Sequence, residues 1–475
     1  DLPRYIRSGD PILLDDGLIE LQAVEVQSSR DIVCRVLNRG RLGNRKGVNL
    51  PGVPVHLPAV TDKDIQDIKF GIENDIDFIA ASFVRKPSDV LEIRKILEDH
   101  NAGHIHIIAK IENQEGVNQI DDILKVSDGI MVARGDLGVE IPTEDVPIIQ
   151  KEIIRKCNMA GKPVITATQM LDSMIRNPRP TRAETNDVAN AIYDGSDAIM
   201  LSGETAVGKY PVEALKTMAK IAERAGNTIK YHENTGISYP SPSTITNAIS
   251  HATCATAMEL GATAIITATT SGYTARMVSK FRPCCIILAT TTSERTYRQL
   301  SLVWGVFPYL VPKMMNTDEM IEQSVGIAVD SHIVKNGDLV VITAGVPVGV
   351  SGTTNLIKVH VIGDVLLKGK GIGNHPAFGR ACVIHNTAEA YAKFMEGDII
   401  VAKSTDNSLL PFLKKASGVI TEEGGATSHA AIVGLTLEIP VIISAEEAIE
   451  TLTDGLYITI DPVQGFVYNG KAKIL

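Results

Sequence analysis

Cysteine and clusters of basic residues are scarce in this chain, and each scarcity excludes a class of protein. The 475 residues include six cysteines, which are scattered without the spacing of a metal-binding motif. Scattered cysteines without a recognisable signal peptide favour a reducing compartment, so we expect a cytoplasmic protein. The formal net charge is −10, and no dense run of Lys and Arg is present. This balance argues against a protein that binds duplex nucleic acid.

Long apolar runs and phosphate-binding loops are also missing. A membrane-spanning helix needs about 20 apolar residues, whereas the apolar stretch at 430–443 is interrupted by Glu438 and Pro440. The sequence lacks a GxxxxGKS/T motif, so any nucleotide is held differently from the nucleotides of P-loop proteins. With 44% hydrophobic and 21% charged residues, the composition is that of an ordinary globular protein without a membrane partner.

The chain divides into four segments of different composition. The first is rich in β-type sequence, and Asp15-Asp16-Gly17 between two apolar runs signals a hairpin. Pro-, Ser- and Gly-rich sequence at 230–244 and Gly-rich sequence at 363–380 predict linkers. The predicted domains are a β-rich segment at 1–60, alternating strands and helices at 61–229, a second α/β unit at 243–366 and a small α/β unit at 375–475.

Five apolar segments between residues 61 and 229 alternate with amphipathic helices. They recur about every 25–35 residues, which is the period of βα units in a parallel sheet or barrel. One intervening helix is predicted to start at Asp145 and Pro147 and to stop at Gly161. Each apolar segment runs into polar residues, which favours an active site at the carboxyl ends of the strands. The predicted strands are DFIAASFV, IHIIAKIEN, GIMVARGD, PVITATQM and AIMLSGET.

Lys110 and Glu112 end the second of these strands. Side chains alternate along a strand, so the two charged groups point to the same side. Charges at the end of a buried strand are costly to desolvate and are rarely selected for packing. The next strand ends in Arg134-Gly135-Asp136, which brings a second carboxylate to the same edge of the sheet.

Glu112 and Asp136 predict a Mg²⁺ site. Mg²⁺ commonly takes one or two protein carboxylates and completes its shell with water and substrate oxygens. Lys110 beside such an ion would neutralise charge on a phosphoryl group during transfer. The structural alternative is that the two carboxylates form salt bridges with Lys110 or Arg134.

Further candidates follow the next two strands. Thr166 and Thr168 are predicted on one face, with both hydroxyls towards the same edge, although strand threonines also serve in packing. Ser202 and Glu204 follow the fifth strand. The sequence NPRPTRAE supplies two arginines that are either anion ligands or a pair that fixes the loop.

Two later motifs indicate anion or phosphate chemistry. The sequence TATTSGYTARMVSKFRP places hydroxyls and free N–H groups at the start of a helix, where they form an anion site or serve only as helix caps. The candidate residues there are Thr269, Thr270, Ser271, Gly272 and Thr274. His429 lies in GGATSHAAIVG, where small flanking residues leave the ring accessible, and its role is either chemical or structural.

Nearly the whole chain resembles pyruvate kinase. The segment from about residue 40 to 225 resembles the catalytic barrel of that family in AASFVRK, AKIENQEG, MVARGDLGVE, ITATQMLDSM, NPRPTRAE, DVANAIYDG and IMLSGETA. KGVNLPG resembles the end of its β-rich lid domain. TSGYTARMVSKFRP and VITAGVPVGVSGTTNLIKVH resemble its C-terminal regulatory domain. The tail from about residue 375 resembles the phosphohistidine domain of phosphoenolpyruvate-utilising enzymes, an extension found on some bacterial pyruvate kinases.

The resemblance implies an α/β protein with a TIM (β/α)8-type barrel, part of a lid domain, an α/β regulatory domain and a small C-terminal α/β domain. It implies phosphoryl transfer from phosphoenolpyruvate to ADP, giving pyruvate and ATP in glycolysis. It further implies a homotetramer that responds to a phosphorylated effector, a sugar phosphate or a nucleotide monophosphate, bound around Thr269–Thr274. His429 is expected either to carry phosphate or only to stabilise the oligomer, and the second is favoured because pyruvate kinase chemistry needs no phosphohistidine.

The same resemblance implies roles for individual residues. Lys110 matches the lysine that stabilises the phosphoryl-transfer transition state. Thr168 matches the threonine beside the substrate, near the path of proton delivery. Lys46 matches the lid lysine that contacts nucleotide. Glu112 and Asp136 match the ligands of Mg²⁺ or Mn²⁺, and the backbone of Gly135 and Asp136 matches the site of the substrate carboxylate.

The family barrel has eight strands, and five are present in this sequence. We therefore expect an incomplete barrel without its first three strands and without the start of the lid. The residues of the family's K⁺ site and an arginine that contacts the phosphoryl group are expected to be absent with them. An open five-stranded barrel exposes strand edges, so we expect poor stability or aggregation.

Two alternative functions use the same residues. A Mg²⁺-dependent aldolase or lyase barrel acting on pyruvate enolates could employ the same pair of carboxylates, but it would not depend on ADP. A catalytically inactive fragment would retain only effector-binding and oligomer-forming surfaces. ADP-dependent turnover separates pyruvate kinase from both.

Overall fold

A computed structural model describes residues 2–44, 46–53, 58–229, 244–313, 316–346, 352–363 and 365–474. These residues form two compact units. The first contains the described residues up to 229 together with 279–282 and 294–306, and the second contains the others. The predicted linker at 230–244 lies outside the described residues apart from Thr244. No helix among the described residues is both long and apolar enough to cross a membrane.

The predicted hairpin lies in a small antiparallel sheet of the first unit. The strands of this sheet are β1 (Pro11–Leu14), β2 (Ile19–Val26), β3 (Ile32–Val36) and β4 (Val48–Asn49), in the order β3-β2-β1-β4. Asp15, Asp16 and Gly17 all have positive φ, so the chain reverses and Leu14 pairs with Ile19. The prediction of a β-rich first segment is confirmed.

Five parallel strands form the main sheet of the first unit, as predicted. They are β5 (Phe78–Ala81), β6 (His106–Ile111), β7 (Gly129–Ala133), β8 (Val164–Ala167) and β9 (Ala198–Met200), and they pair in chain order. In the part of the chain that the structure describes, β5 and β9 are the edge strands. This arrangement is the α/β sheet of a barrel-type domain whose described strands do not close on one another.

Helices separate the strands of this sheet. They are α1 (Asp62–Glu73), α2 (Pro87–Asp99), α3 (Gln114–Asn118), α4 (Ile120–Val126), α5 (Arg134–Glu140), α6 (Val146–Ala160), α7 (Arg182–Tyr193), α8 (Gly203–Ala206) and α9 (Pro211–Gly226). The bounds predicted for α6 are confirmed. Pro147 lies in its first turn, and Gly161 ends it in the left-handed conformation at φ 66°.

Alternate residues of the parallel strands pack on opposite faces of the sheet. Ile107 and Ile111 of β6 belong to a large core shared with the surrounding helices. Ile108 belongs to a smaller cluster on the other face, together with Met131 of β7. Because alternation continues along β6, Lys110 lies on the same face as Ile108, at the carboxyl end of the strand.

The second unit contains two further sheets. The first has β10 (Ala264–Ala268), β11 (Ile286–Thr291), β12 (Val306–Leu310), β13 (Leu339–Gly345) and β14 (Thr354–Val361), in the order β12-β11-β10-β13-β14. Its helices are α10 (Ile245–Glu259), α11 (Tyr273–Ser279) and α13 (Thr317–Asp330). The intervening helix α12 (Glu294–Leu300) belongs to the first unit. Strand β12 contains Pro308 and therefore lacks a normal strand signal in the sequence.

The other sheet has eight strands. They are β15 (Val365–Lys368), β16 (Lys370–Ile372), β17 (Ala377–Ile384), β18 (Ile399–Ala402), β19 (Gly418–Thr421), β20 (Val441–Ile443), β21 (Tyr457–Asp461) and β22 (Phe466–Asn469). Their order is β15-β22-β21-β17-β18-β19-β20-β16. The helices are α14 (Thr387–Lys393), α15 (Leu410–Leu413), α16 (His429–Leu437) and α17 (Ala448–Thr451). This part of the chain is α/β, as predicted, whereas its separation as a unit at 375–475 stays a prediction.

The prediction of a Gly-rich linker at 363–380 is wrong, because this segment contributes β15, β16 and the start of β17. Its glycines serve close packing. A Cβ atom at Gly369 would lie 2.6 Å from the carbonyl oxygen of Ile443, and one at Gly371 would overlap the carbonyl group of Pro462. Glycine is therefore required where the backbones approach one another, and the same residues look like a flexible segment in the sequence.

Arg282, whose side chain is 17% exposed, holds the amino end of one edge of the parallel sheet. Arg282 donates to Asp197 Oδ1 at 3.0 Å, to Asn158 Oδ1 at 2.7 Å and to the carbonyl oxygen of Gly195 at 2.6 Å. Asp197 immediately precedes β9, and its other oxygen accepts the N–H of Val164 at the start of β8. The ion pair therefore joins two neighbouring strands to the segment at 279–282.

The opposite edge is held in a similar way by α12. Arg298 Nε lies 2.7 Å from Asp77 Oδ2, immediately before β5, and Arg298 also pairs with Asp75 at 3.2 Å. Gln299 donates to the carbonyl oxygens of Asp77 and His104, which precede β5 and β6. Both edge strands are thus anchored by residues that follow the barrel segment in the sequence.

We predict that Arg282→Met destabilises the first unit by about 3–5 kcal/mol, because the substitution leaves the buried Asp197 carboxylate without its cation. Thermal and denaturant unfolding would measure this loss. The control is Lys125→Met, which removes an exposed partner of Asp122 and should change stability little. Equal effects of the two substitutions would contradict a special role for the Arg282 ion pair.

Candidate active site

The register of the parallel strands brings their carboxyl ends to one level. Ala81 of β5 pairs with Ala109, Ile111 of β6 pairs with Val132, and Ala133 of β7 pairs with Ala167. The residues that follow these pairs are therefore neighbours along one edge of the sheet. Lys110, Glu112, Gly135, Asp136 and Thr168 lie along this edge.

Lys110 and Glu112 form an ion pair at the end of β6. Lys110 Nζ lies 2.7 Å from Glu112 Oε1, which confirms that the two side chains point to the same side. The Glu112 side chain is 1% exposed, whereas that of Lys110 is 22% exposed. The ammonium therefore reaches solvent and can meet an anionic substrate, while the buried carboxylate fixes its position.

Two residues of the loop after β5 form hydrogen bonds with the Lys110–Glu112 pair. The sequence analysis did not single out this loop. Lys110 Nζ donates to Ser82 Oγ at 2.7 Å, and the N–H of Phe83 donates to Glu112 Oε2 at 2.6 Å. Phe83 adopts φ 55°, an uncommon conformation for an aromatic residue. The available signal was the serine at the strand end in AASFV, which resembles the polar residues at the other strand ends.

Gly135 and Thr168 connect the ends of β7 and β8. The N–H of Gly135 donates to Thr168 Oγ1 at 2.8 Å, and that hydroxyl donates to the carbonyl oxygen of Ala167 at 2.6 Å. A Cβ atom at Gly135 would lie 3.3 Å from Thr168 Oγ1, so a side chain there would crowd the hydroxyl. Asp136 lies in the first turn of α5, where the helix dipole favours its negative charge.

Thr166 and Thr168 do not share a face, contrary to the prediction. Thr166 is fully buried and its hydroxyl lies 2.7 Å from Ser196 Oγ. Strand β8 ends at Ala167, and Thr168 follows with φ 69°, which breaks the alternation expected within a strand. Only Thr168 belongs to the candidate site.

Glu204 has a structural role and does not act as a ligand. It is buried, and its two oxygens accept the N–H groups of Leu171 and Ser202, both at 2.9 Å. Through these bonds it joins the loop after β8 to the end of β9. These two hydrogen bonds are sufficient to explain why the Glu204 carboxylate is buried.

The two arginines of NPRPTRAE, Arg179 and Arg182, are exposed at the start of α7. The local structure is fixed by a capping box, in which Thr181 and Glu184 bond to each other's backbone N–H groups. Burial by itself would raise the pKa of Glu184, but hydrogen bonds from Ser173 and Thr181 outweigh it and lower that pKa below its usual value. The loop is therefore held without the two arginines.

The assignment of Glu112 and Asp136 as metal ligands stays a prediction. Among the described residues, no three His, Cys, Asp or Glu side chains come together as a metal site. Glu112 accepts one hydrogen bond at each oxygen, so each oxygen keeps a lone pair for a cation. A buried carboxylate with a second carboxylate on the adjoining strand end suits Mg²⁺, which retains water or substrate oxygens in its shell.

Lys46 lies at the small antiparallel sheet, where it pairs with the hairpin turn. Lys46 Nζ lies 2.7 Å from Asp15 Oδ1. The hydrogen bond and the charge of Asp15 raise the pKa of Lys46 above its usual value. The ammonium is therefore charged at neutral pH and remains accessible enough to meet a phosphate.

The predicted effector residues follow β10 and enter α11. Thr270 and Ser271 are exposed, and Gly272 has φ 75° at the turn. The Thr269 N–H donates to the carbonyl oxygen of Thr290 at 2.9 Å. The Thr274 hydroxyl is buried 2.8 Å from that of Thr354, so this side chain serves the packing of the unit.

His429 is the first residue of α16, after the capping residue Ser428. Its Nδ1 lies 2.9 Å from Thr405 Oγ1, and its Nε2 lies 3.2 Å from Asn407 Oδ1. An amide oxygen only accepts, so Nε2 carries the hydrogen and Nδ1 accepts from the threonine hydroxyl. Both ring nitrogens are engaged, which fits a structural role.

Comparison with protein families defines the class of the chain as an α/β phosphotransferase of several domains. Residues 1–215 match the barrel domain of pyruvate kinase, and residues 247–360 match its alpha/beta domain. Residues 394–465 match the mobile domain of PEP-utilising enzymes. All three matches agree with the resemblance found in the sequence.

Curated relatives give the particular family. The chain is 57% identical to pyruvate kinase of Bacillus licheniformis and 58% identical to that of Geobacillus stearothermophilus. Each match covers 98% of this chain and 80% of the relative. The pyruvate kinase of Sporosarcina psychrophila is 54% identical, over 99% of this chain and 80% of the relative. The chain belongs to the pyruvate kinase family, and this similarity does not favour an inactive fragment or a lyase.

We predict that His429 is in the tautomer with hydrogen on Nε2, because Asn407 Oδ1 can only accept. Nitrogen-15 NMR of imidazole-labelled protein distinguishes the two tautomers. The variant Asn407→Leu should reduce this preference, whereas Thr405→Val should preserve it. A wild-type spectrum that shows hydrogen on Nδ1 would contradict the assignment.

Proposed function

We propose that this chain performs the family's reaction at the strand ends that hold Lys110, Glu112, Asp136 and Thr168. The reaction transfers the phosphoryl group of phosphoenolpyruvate to ADP and yields pyruvate and ATP. The observation that carries this proposal is the ion pair at the end of β6, in which a buried carboxylate holds a partly exposed ammonium at 2.7 Å. A fixed cation at a strand end is suited to stabilising charge that develops on a phosphoryl group.

Lys110 supports the transfer step. The bond between phosphorus and the enol oxygen breaks, and a bond to a terminal oxygen of ADP forms. The ammonium stabilises negative charge on the transferring oxygens and on the enolate that remains. Because Glu112 and Ser82 both hold Nζ at 2.7 Å, the charge is positioned before substrate arrives.

Glu112 and Asp136 would hold Mg²⁺ or Mn²⁺ in this reaction, and the family depends in general on Mg²⁺ and K⁺. Bound there, the divalent ion would neutralise charge on the carboxylate and phosphoryl groups of the substrate. Among the described residues we assign none to K⁺. The hydrogen bond from Phe83 keeps the Glu112 carboxylate oriented towards the strand end.

Thr168 and the start of α5 would orient the other end of the substrate. The N–H groups of Gly135 and Asp136 lie in the first helical turn, where N–H groups have no partner within the helix. They suit the substrate carboxylate, which would compete with Thr168 Oγ1 for the Gly135 N–H. The Thr168 hydroxyl lies beside this position, near the carbon of the enolate that must receive a proton.

The remaining assignments concern the other parts of the chain. Lys46 would contact the nucleotide, for which its raised pKa keeps it charged. The segment Thr269–Thr274 would bind a phosphorylated effector through Thr269, Thr270, Ser271 and the turn at Gly272, whereas Thr274 faces inward. The β-rich segment at 1–60 would act as part of a lid, 61–229 as the catalytic barrel and 243–366 as the regulatory domain. We expect a homotetramer in the cytoplasm.

The domain at 375–475 would stabilise the assembly rather than carry phosphate. Its His429 is bonded at both ring nitrogens, so a phosphoryl group could be accepted only after one of these bonds is broken. Acid-labile phosphate on His429 after incubation with phosphoenolpyruvate would overturn this assignment.

We predict that Lys110→Met lowers kcat for pyruvate formation by about 10²–10³-fold, as expected when one charged stabiliser of the transition state is removed. Pyruvate release from phosphoenolpyruvate with ADP, Mg²⁺ and K⁺ measures the effect. The matched control is Lys156→Met, because Lys156 is similarly shielded at 18% exposed and pairs with Asp121 and Glu152 away from the strand ends.

Lys156→Met should retain the wild-type rate. An unaffected Lys110→Met variant would exclude the proposed role of this lysine. Pyruvate release that does not depend on ADP would instead support lyase chemistry at the same carboxylates. Circular dichroism of each variant establishes that it has folded.

A further inference from the structure

The side chain of Arg134 is buried beside the candidate site without reaching its open edge. It is 9% exposed and lies at the end of β7. Its guanidinium donates to Asp187 Oδ1 at 2.6 Å, to the carbonyl oxygen of Thr168 at 2.7 Å and to Gln150 Oε1 at 3.4 Å. These partners come from α7, from the residue after β8 and from α6. A charge buried among three elements is expensive to desolvate and needs a reason to be retained.

Arg134 bonds the Thr168 carbonyl although one of its own donors has no partner. In the described structure, Arg134 Nε is buried without a hydrogen-bond partner. The guanidinium is thus oriented by Asp187 so that Nη2 faces the Thr168 carbonyl, although another donor is left unsatisfied. Arg282 also has a buried Nε without a partner, so the contact with Thr168, and not the unpaired nitrogen, distinguishes Arg134.

Thr168 needs such support because its backbone is strained. Its φ is 69°, and the next residue, Gln169, has φ 54°. A β-branched residue rarely adopts positive φ, and two consecutive non-glycine residues in this region are held only by their surroundings. The Thr168 hydroxyl is fixed between Ala167 and Gly135, so its position depends on this backbone conformation.

We propose that Arg134, oriented by Asp187, is a positioning residue that holds Thr168 in the conformation required for protonation of the enolate. This role rests on the proposed function. In the protonation step the electron pair of the C2–C3 double bond forms the new C3–H bond, and the enolate oxygen becomes the carbonyl oxygen of pyruvate. The proton comes from water next to Thr168. Arg134 contacts neither substrate nor proton and acts only through the Thr168 backbone.

The assignment separates the two halves of the reaction. Lys110 belongs to phosphoryl transfer, and its partners are Ser82 and Glu112. Arg134 contacts Thr168 and belongs to protonation. Loss of the Arg134 contact should therefore impair exchange of the pyruvate methyl protons with solvent more than it impairs ADP-dependent transfer.

The test compares Arg134→Lys and Asp187→Asn with the wild type. Lysine keeps the charge but lacks the planar guanidinium that bonds Asp187 and the Thr168 carbonyl at the same time. Methyl-proton exchange of pyruvate in D₂O, with Mg²⁺, K⁺ and inorganic phosphate, is followed by proton NMR. Transfer is followed by ATP formation from phosphoenolpyruvate and ADP, because pyruvate itself appears only after protonation. In Arg134→Lys the ratio of exchange to transfer should fall about 10- to 100-fold, and in Asp187→Asn it should fall in the same direction.

Arg282→Lys is the matched control, since Arg282 is also a largely shielded arginine with three partners but lies at the amino ends of the strands. Its exchange-to-transfer ratio should equal that of the wild type. An unchanged ratio in both Asp187→Asn and a folded Arg134→Lys would overturn the positioning role, as would an equal fall in Arg282→Lys. If Arg134→Lys does not fold, Asp187→Asn alone decides. A wild type that shows neither transfer nor exchange would overturn the proposed function and this assignment with it.

Discussion

The candidate site depends on the register in which β6, β7 and β8 pair. Ile111 lies opposite Val132 and Ala133 opposite Ala167, so the residues that follow each strand meet at one edge. A shift of one residue would turn every side chain to the other face. Lys110 would then enter the apolar core between sheet and helices, where its charge could not be tolerated. The strand pairing that buries the core therefore also brings together Lys110 with Glu112 and Gly135 with the Thr168 hydroxyl.

Charged groups occupy both ends of this sheet, but they are bonded differently. At the amino ends, Arg282 makes three hydrogen bonds and the side chain of its partner Asp197 is 6% exposed, so little of the ion pair can respond to a ligand. At the carboxyl ends, the ammonium of Lys110 remains partly exposed while Glu112 is buried. A shielded ion pair stabilises a fold, whereas a fixed charge with access to solvent can act on a substrate.

Most of the fold and the centre of the site could be predicted from the sequence. Alternation along β6 correctly placed Lys110 and Glu112 on one side, because both residues belong to a regular strand or follow it directly. The same rule failed for Thr166 and Thr168, because the strand ends between them and Thr168 takes a left-handed conformation. The prediction of a linker from composition also failed at Gly369 and Gly371, because glycine there permits close packing of backbones rather than flexibility.

The sequence by itself determined the family, the order of strands and helices around the parallel sheet and the identity of the charged residues, because these depend on local periodicity and on motifs of a few residues. Only the tertiary structure decided which groups those residues meet. Arg134 reaches Asp187 and Thr168 across 53 and 34 positions of the chain. The segment 294–306 likewise follows β11 in the sequence but belongs to the first unit. Such contacts are set by the packing of distant elements, for which a single sequence carries no local signal.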